Sequence, residues 1–170
     1  SHDNEGGFMR ICNGGKEPVT GNVGTIVRYN ISQNDSDGII DYWGKVEDVK
    51  IYNNIIYIPP GKDELLIKTS SRPIGKGGTH WYYNNIFYAD GVARYKITDS
   101  SENFFSHNVF YGNHVGRPDD PAAITENPGL VDAGSGGIGF DSLSGYLQSA
   151  GSVCIDAGKK IKNAGSRDFW

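Results

Sequence analysis

The stretch Val49-Lys-Ile-Tyr-Asn-Asn-Ile-Ile-Tyr57 decides the fold, because its pattern recurs along the chain. Alternating apolar residues lead to a fixed asparagine, and a β-branched residue follows it. The other copies lie at Thr25–Ser32, His80–Tyr88 and Asn103–Tyr111. Alternation of this kind is typical of β-strands with one buried face, so each copy predicts a strand.

The spacing of the fixed asparagines predicts how these strands are arranged. Asn30, Asn54, Asn85 and Asn108 are 24, 31 and 23 residues apart. Repeats of this length are typical of solenoids, in which each coil buries its apolar side against the next. An asparagine that recurs once per coil at an inward bend donates to and accepts from its neighbours. We therefore predict parallel β-helix coils and interpret the four asparagines as structural.

A second strand occurs in each coil, at Gly7–Cys12, Gly38–Trp43, Leu65–Thr69 and Val92–Ile97. Side chains alternate between the two faces of a strand. Placing Met9, Ile40, Leu65 and Ala93 inward orients another set outward on the same sheet. That set is Arg10, Cys12, Asp41, Trp43, Leu66, Lys68, Arg94 and Lys96.

The composition agrees with short strands and tight turns. Of 170 residues 24 are glycine, aromatic residues make up 12% and charged residues 21%. The net charge of -4 argues against a nucleic-acid partner, which binds basic surfaces. No apolar run is long enough for a membrane span, so no membrane partner is predicted. The polar start at Ser1 reads as the middle of a longer chain, so further coils or domains of a parent protein are expected partners.

The coils from Ser1 to about Tyr111 resemble the right-handed parallel β-helix superfamily, which includes pectate lyases, other polysaccharide lyases and several glycoside hydrolases. The tail resembles an ending common in secreted bacterial members, at Asn127–Asp132, Gly151–Gly158 and Arg167–Trp170. The resemblance implies an all-β, right-handed parallel β-helix of about four to six coils over residues 1–125. An irregular closing segment over 126–170 would complete the same domain. The resemblance also implies a secreted or cell-surface protein whose partner is a polysaccharide.

The outward set includes the first candidate site. A lyase needs a cation to neutralise a uronate carboxylate while a base removes the proton beside it. The candidate catalytic residues for this are Arg10, Asp41, Lys68, Arg94 and Lys96. Trp43 is the candidate for stacking on a sugar ring. The alternative is that a solvent-facing sheet simply carries lysine and arginine.

Two acidic turns form the second candidate site, at His2–Glu5 and Asn34–Gly38. They occupy equivalent places on adjacent coils, which are about 4.8 Å apart. Glu5, Asp35 and Asp37 are therefore alternative members of a hydrolytic acid pair, which needs a separation of roughly 5 to 10 Å. The same turns offer Asp3, Glu5, Asp35 and Asp37 as Ca²⁺ ligands, and His2 as a substrate contact. The alternative is that tight turns favour these residue types for their backbone geometry.

Three classes of function remain open on the sequence. The first is an enzyme, lyase or hydrolase, acting on an acidic cell-wall or extracellular polysaccharide. The second is a non-catalytic carbohydrate-binding β-helix, and the third is a structural solenoid or a fragment of a larger enzyme. One scaffold hosts many chemistries, so the fold alone does not choose among them.

Overall fold

The computed structural model describes residues 1–13, 22–44, 46–69, 78–98 and 101–162. Within these ranges the protein is mostly β and forms a parallel β-solenoid of about three turns. The only described helix is a short 3₁₀ segment at Phe140–Tyr146. In the part of the chain that the structure describes, no helix has the length and apolar character needed to cross a membrane. The parallel pairing of the described strands confirms the predicted parallel solenoid.

Three strips of parallel strands make up the solenoid wall. The basic face consists of β1 (Met9–Cys12), β4 (Ile40–Trp43), β7 (Asp63–Thr69) and the second halves of β9 (Ile86–Lys96) and β11 (Val109–Val115). The tail face consists of β3 (Ile31–Gln33), β6 (Ile55–Ile58), the first half of β9 and the first half of β11 (Val109–Val115). The third face consists of β2 (Ile26–Arg28), β5 (Val49–Tyr52), β8 (Thr79–Tyr83) and β10 (Glu102–Ser106). Some coils contribute to only part of this wall, which is why about three complete turns are present where four to six coils were expected.

The asparagine ladder lies at the corner between the third face and the tail face. Oδ1 of Asn54 accepts the backbone N–H of Asn30 at 3.0 Å and its Nδ2–H at 2.9 Å. Asn85 accepts the same pair of bonds from Asn54, and Asn108 accepts them from Asn85. Because every bond in this series joins neighbouring coils, the structural interpretation of these asparagines is confirmed.

The residue before each ladder asparagine turns the chain. Tyr29, Asn53, Asn84 and His107 all adopt a left-handed backbone, with φ between 53° and 59°. This conformation is uncommon outside glycine, and asparagine is among the residues that tolerate it best. The repeated left-handed residue aims each corner asparagine into the wall.

The interior of the solenoid is lined by stacked apolar rows. On the third face the inward row is Val27, Ile51, Tyr82 and Phe105, and the Tyr82 and Phe105 rings stack with centroids 4.3 Å apart. The Tyr82 hydroxyl donates to the Tyr42 hydroxyl at 3.0 Å inside the core.

The closing segment, which the structure describes over residues 126–162, packs there on the outside of the tail face. Tyr146, Leu143 and Leu130 cover Ile31 and Tyr57 there. Gln33 fastens the segment, because its side chain donates to the carbonyl of Gly136 at 2.8 Å and accepts that residue's N–H at 2.9 Å. The irregular tail therefore covers one sheet face and leaves the basic face open.

Candidate functional site

The basic face aligns four of the predicted residues across consecutive strands. Arg10 pairs with Asp41, Asp41 with Lys68, and Lys68 with Lys96. Neighbouring strands are about 4.8 Å apart, so the side chains follow one another along the solenoid axis. We call these four residues the basic line. It places Arg10 and Lys68 on the strands either side of Asp41, and Lys96 one strand beyond Lys68.

Asp41 is the unusual member of the basic line. It was expected to face solvent, yet only 2% of it is exposed. Its Oδ2 accepts from Arg10 Nε at 2.9 Å, and its Oδ1 is buried without a hydrogen-bond partner. An unpaired buried carboxylate oxygen is costly and is uncommon outside functional or strained sites. Arg10 thus holds the buried carboxylate of Asp41 in place within the basic line.

Gly38 explains how Asp41 is covered. A Cβ built on Gly38 would lie 3.4 Å from Lys68 Cδ and 3.6 Å from Asp41 Cβ. The Lys68 stem and Asp41 therefore pack directly against the turn that enters β4. Gly38 also has φ +80°, a conformation that glycine adopts at little cost.

Trp43 lies at the end of the same strands. Its side chain is 40% exposed, and Cys12 is its register partner on β1. The Arg10 guanidinium carbon is 5.9 Å from the Trp43 ring centroid, within the range of a cation–π contact. Arg10 therefore bridges the buried carboxylate and the exposed indole.

Arg94 does not belong to the basic line. A β-bulge between Leu65 and Ile67 shifts the register, so that Arg94 pairs with Leu65. The expected orientation of Leu65 and Leu66 is wrong for the same reason, because the bulge turns Leu66 into the core with 0% exposure. Arg94 instead binds both carboxylate oxygens of Asp63, at 2.6 and 2.8 Å. The hydrogen bonds and charge of Arg94 hold the pKa of Asp63 below its usual value.

The acidic turns stack on adjacent coils as predicted. The backbone N–H of Ser36 donates to the carbonyl of Asn4 at 2.9 Å. Asp35 is 1% exposed and accepts from the backbone N–H of Asn4 at 3.0 Å, the Asn4 side chain at 2.8 Å and the Ser32 hydroxyl at 2.7 Å. These bonds assign Asp35 a structural task that ties the two turns together.

The remaining acidic side chains are placed separately. Asp3 bonds to the Asn34 amide and to His2, and these bonds lower its pKa. The backbone N–H of Asp37 donates to Glu64 at 3.2 Å. Among the described residues, no three His, Cys, Asp or Glu side chains are grouped closely enough to hold a metal ion. The calcium site and the acid pair that includes Glu5 remain predictions.

His2 lies away from Trp43 in the fold. Its backbone forms a bridge with Gln33, and Nδ1 is 2.8 Å from Asp3. Together with Gly136 and Tyr146 it lines a cavity of about 210 Å³ against the closing segment. The substrate-binding role of His2 remains a prediction, at a place separate from the basic line.

A groove at the asparagine corner was not predicted. It has a volume of about 470 Å³ and runs between the solenoid and the closing segment. The residues before the ladder asparagines, such as Asn53 and His107, form one side of it. Their recurrence at the same place in each repeat was visible in the sequence. The opposite side comes from residues between 146 and 158. These residues lie outside the repeated pattern, so the pattern did not predict that they would pack at this corner.

Comparison with known proteins gives one informative similarity. No protein-family model matches the chain. The chain is 28% identical over 187 aligned positions to a protein named lacto-N-biosidase from Bifidobacterium longum subsp. longum. The alignment covers 96% of this chain and 11% of that protein. The chain is therefore distantly homologous to a part of a much longer protein.

Proposed function

We propose that this chain is a carbohydrate-binding β-solenoid module of a larger, secreted or cell-surface carbohydrate-active protein. The basic line beside the exposed Trp43 is the observation that carries the proposal. We further propose that the solenoid is right-handed, because crossovers between parallel strands have that hand in nearly all known folds. The relative named lacto-N-biosidase supports a setting in carbohydrate chemistry.

The charge of the basic line favours an acidic glycan as the ligand. Arg10 is half-exposed while Asp41, its partner, is buried, so the guanidinium can still reach a ligand from its exposed side. Lys68 and Lys96 have no acidic partner among the residues that the structure describes. Cations spaced along one line suit carboxylates repeated along a chain, and Trp43 offers an apolar surface to a sugar ring.

Catalysis at the same place is the second candidate. The orphan Oδ1 of Asp41 is an acceptor on a residue whose register partners are Arg10 and Lys68. A lyase uses a base beside cations to remove a proton next to a uronate carboxylate. A hydrolase would instead draw on Glu5 and Asp37, with or without Ca²⁺. Binding is favoured over catalysis because Asp41 Oδ1 is covered and Asp35 is fully engaged by Asn4 and Ser32.

Calorimetry with oligogalacturonate, oligomannuronate and cello-oligosaccharides tests the proposal. We expect the acidic oligomers to bind with an affinity that falls as salt is added. Lys68→Ala combined with Lys96→Ala should weaken binding by about tenfold. Lys50→Ala on the third face is the matched control, since Lys50 is engaged by Asp48 away from the line.

Asp41→Asn separates binding from catalysis. It removes a negative charge beside the cations, so a binding site should keep or gain affinity for the acidic oligomers. In parallel, ultraviolet absorbance of unsaturated products and reducing ends are followed with Ca²⁺ or EDTA. Turnover that Asp41→Asn abolishes would replace the binding proposal with the catalytic one. Absence of both turnover and binding with the acidic oligomers would refute both, whether or not the cello-oligosaccharides bind.

A further inference from the structure

The corner groove is a built cavity with two fixed sides. Its floor is an aliphatic row of Ile31, Ile55, Ile86 and Val109, one residue from each coil of the tail face. Such a volume, about 470 Å³, is within the range of small-molecule sites.

The far side of the groove is fastened by Asn84. Its Nδ2 donates to the Lys159 carbonyl at 2.9 Å, and its Oδ1 accepts the Lys159 N–H at 2.8 Å. This pair of bonds fixes the closing segment against the corner over a separation of 75 residues. It also shows that a corner amide projects one donor and one acceptor, side by side, into this space.

Asn53 occupies the same corner position one coil earlier. Its φ of 54° matches the 53° of Asn84, and its backbone bonds to Tyr83 and Tyr29 resemble those of the other corner residues. Its side-chain amide has no hydrogen-bond partner within the described ranges. Asn53 therefore presents to the groove the donor and acceptor that Asn84 uses for Lys159.

Two further polar groups face the same space. Gln148 lines the groove from the closing segment, and no bond to its side-chain amide occurs in the described part of the chain. His107 bonds to the Ser106 hydroxyl through Nδ1 at 2.7 Å, which leaves Nε2 available. Amides and imidazoles form hydrogen bonds with hydroxyl groups.

The charge of the groove defines the class of ligand. Among the described residues that line it, there is no Asp, Glu, Lys or Arg. A charged ligand would be desolvated there without a counter-charge, whereas an uncharged one would not incur that cost. A sugar ring combines an apolar face for the aliphatic floor with vicinal hydroxyls for Asn53.

We propose that the corner groove binds a short, uncharged saccharide, with Asn53 and Gln148 on its hydroxyls and the Ile55–Ile86 floor under its ring. This site is distinct from the basic line, and the two differ in the charge of the glycan they accept. It rests on the proposed carbohydrate function only for the choice of a sugar among uncharged polar ligands.

Cys154 provides a direct readout of occupancy. It lines the groove, it is partly buried, and burial raises the pKa of its thiol. Cys12→Ser leaves Cys154 as the single thiol of the chain. We would measure its rate of alkylation by a maleimide with lactose, cellobiose or chitobiose as neutral probes and digalacturonate as the charged probe. At a concentration about ten times the Kd from calorimetry, a neutral probe should slow alkylation about tenfold.

Asn53→Gly tests the placement of the ligand. Glycine keeps the left-handed backbone at this position while removing the amide, so the corner is expected to fold. Protection by the neutral probe should disappear in Asn53→Gly and persist in Asn113→Gly, whose asparagine is exposed on β11 outside the groove.

Three outcomes would overturn the proposal: no neutral probe slows alkylation, digalacturonate slows it equally, or Asn53→Gly is protected like the unsubstituted chain. Lys68→Ala should leave protection unchanged while weakening acidic oligomers. The two proposals can therefore fail independently.

Discussion

The asparagine ladder ends at a single aspartate. Asp120 is 5% exposed, and its Oδ2 accepts from the backbone N–H of Asn108 at 3.0 Å and its Nδ2–H at 2.9 Å. Its Oδ1 accepts the N–H groups of His107 and Ala122. A carboxylate has acceptors and no donor, so it satisfies the last asparagine but cannot donate to a further one. One residue change from asparagine to aspartate thus terminates the ladder.

The contribution of the ladder to stability can be tested at Asn85. Asn85→Ala should reduce the free energy of unfolding by about 3 kcal/mol, because buried N–H groups of Asn54 and a carbonyl of Ile51 lose their partners. Urea denaturation measures the change. Asn113→Ala is the control and should cost less than about 0.5 kcal/mol. A loss at Asn85 no larger than that of the control would mean that the ladder adds little stability.

At the scale of elements, β9 and β11 are long strands that cross a corner of the solenoid. Their register shifts between Gly112 and Asn113, because Asp90 and Gly91 of β9 have no register partner on β11. Gly112 has φ +93°, and a Cβ there would collide with the carbonyl oxygen of Ala89. The two strands therefore turn the corner together only because Gly112 lacks a side chain.

The need for glycine at this corner can be tested by comparing the stability of Gly112→Ala with that of Gly116→Ala. Gly112→Ala should destabilise the fold by at least about 3 kcal/mol, through both the left-handed backbone and the collision. Gly116→Ala is matched, since Gly116 has φ +71° but nothing within 4 Å of its Cβ, and should cost about 1 kcal/mol. Chemical denaturation of both variants measures the difference. Equal losses would show that β11 relaxes away from Ala89.

At the scale of the whole molecule, the closing segment decides which face is covered. Gln33 holds it with three bonds, two to Gly136 and one from the Tyr146 hydroxyl at 2.6 Å. These contacts join residues more than a hundred positions apart, with a separation of 113 for Tyr146. Covering the tail face leaves the basic face and the third face exposed, and it creates the corner groove.

Gln33→Ala should release this segment. Losing its hydrogen bonds lowers the free energy of local opening by about 2 kcal/mol, while the strands keep their own ladders. Hydrogen exchange followed by mass spectrometry should show faster exchange at residues 134–146 and unchanged exchange in β6 and β9. Uniformly faster exchange would mean instead that the segment and the solenoid unfold as one unit.

Part of the candidate site could be predicted from the sequence and part of it could not. The pairing of Arg10 with Asp41 and of Asp41 with Lys68 follows from strand alternation, which is local, and the structure shows that alignment. The bulge at Leu66 arises where β7 and β9 of neighbouring coils pair, so it is not visible in either strand alone. It shifts the register and leaves Arg94 outside the basic line. The burial of Asp41 depends on Gly38 and Lys68 together, which no single strand pattern contains.

The sequence by itself determined the solenoid, its repeat and its corner asparagines, because each is set by a pattern that recurs within one coil. Only the tertiary structure decided the pairing of Arg94 with Asp63, the buried state of Asp41 and the groove between the corner and the closing segment. The physical reason is that these features depend on contacts between coils, or between a coil and the irregular tail. A one-residue shift in such contacts exchanges the buried and exposed faces of a strand without changing its sequence pattern.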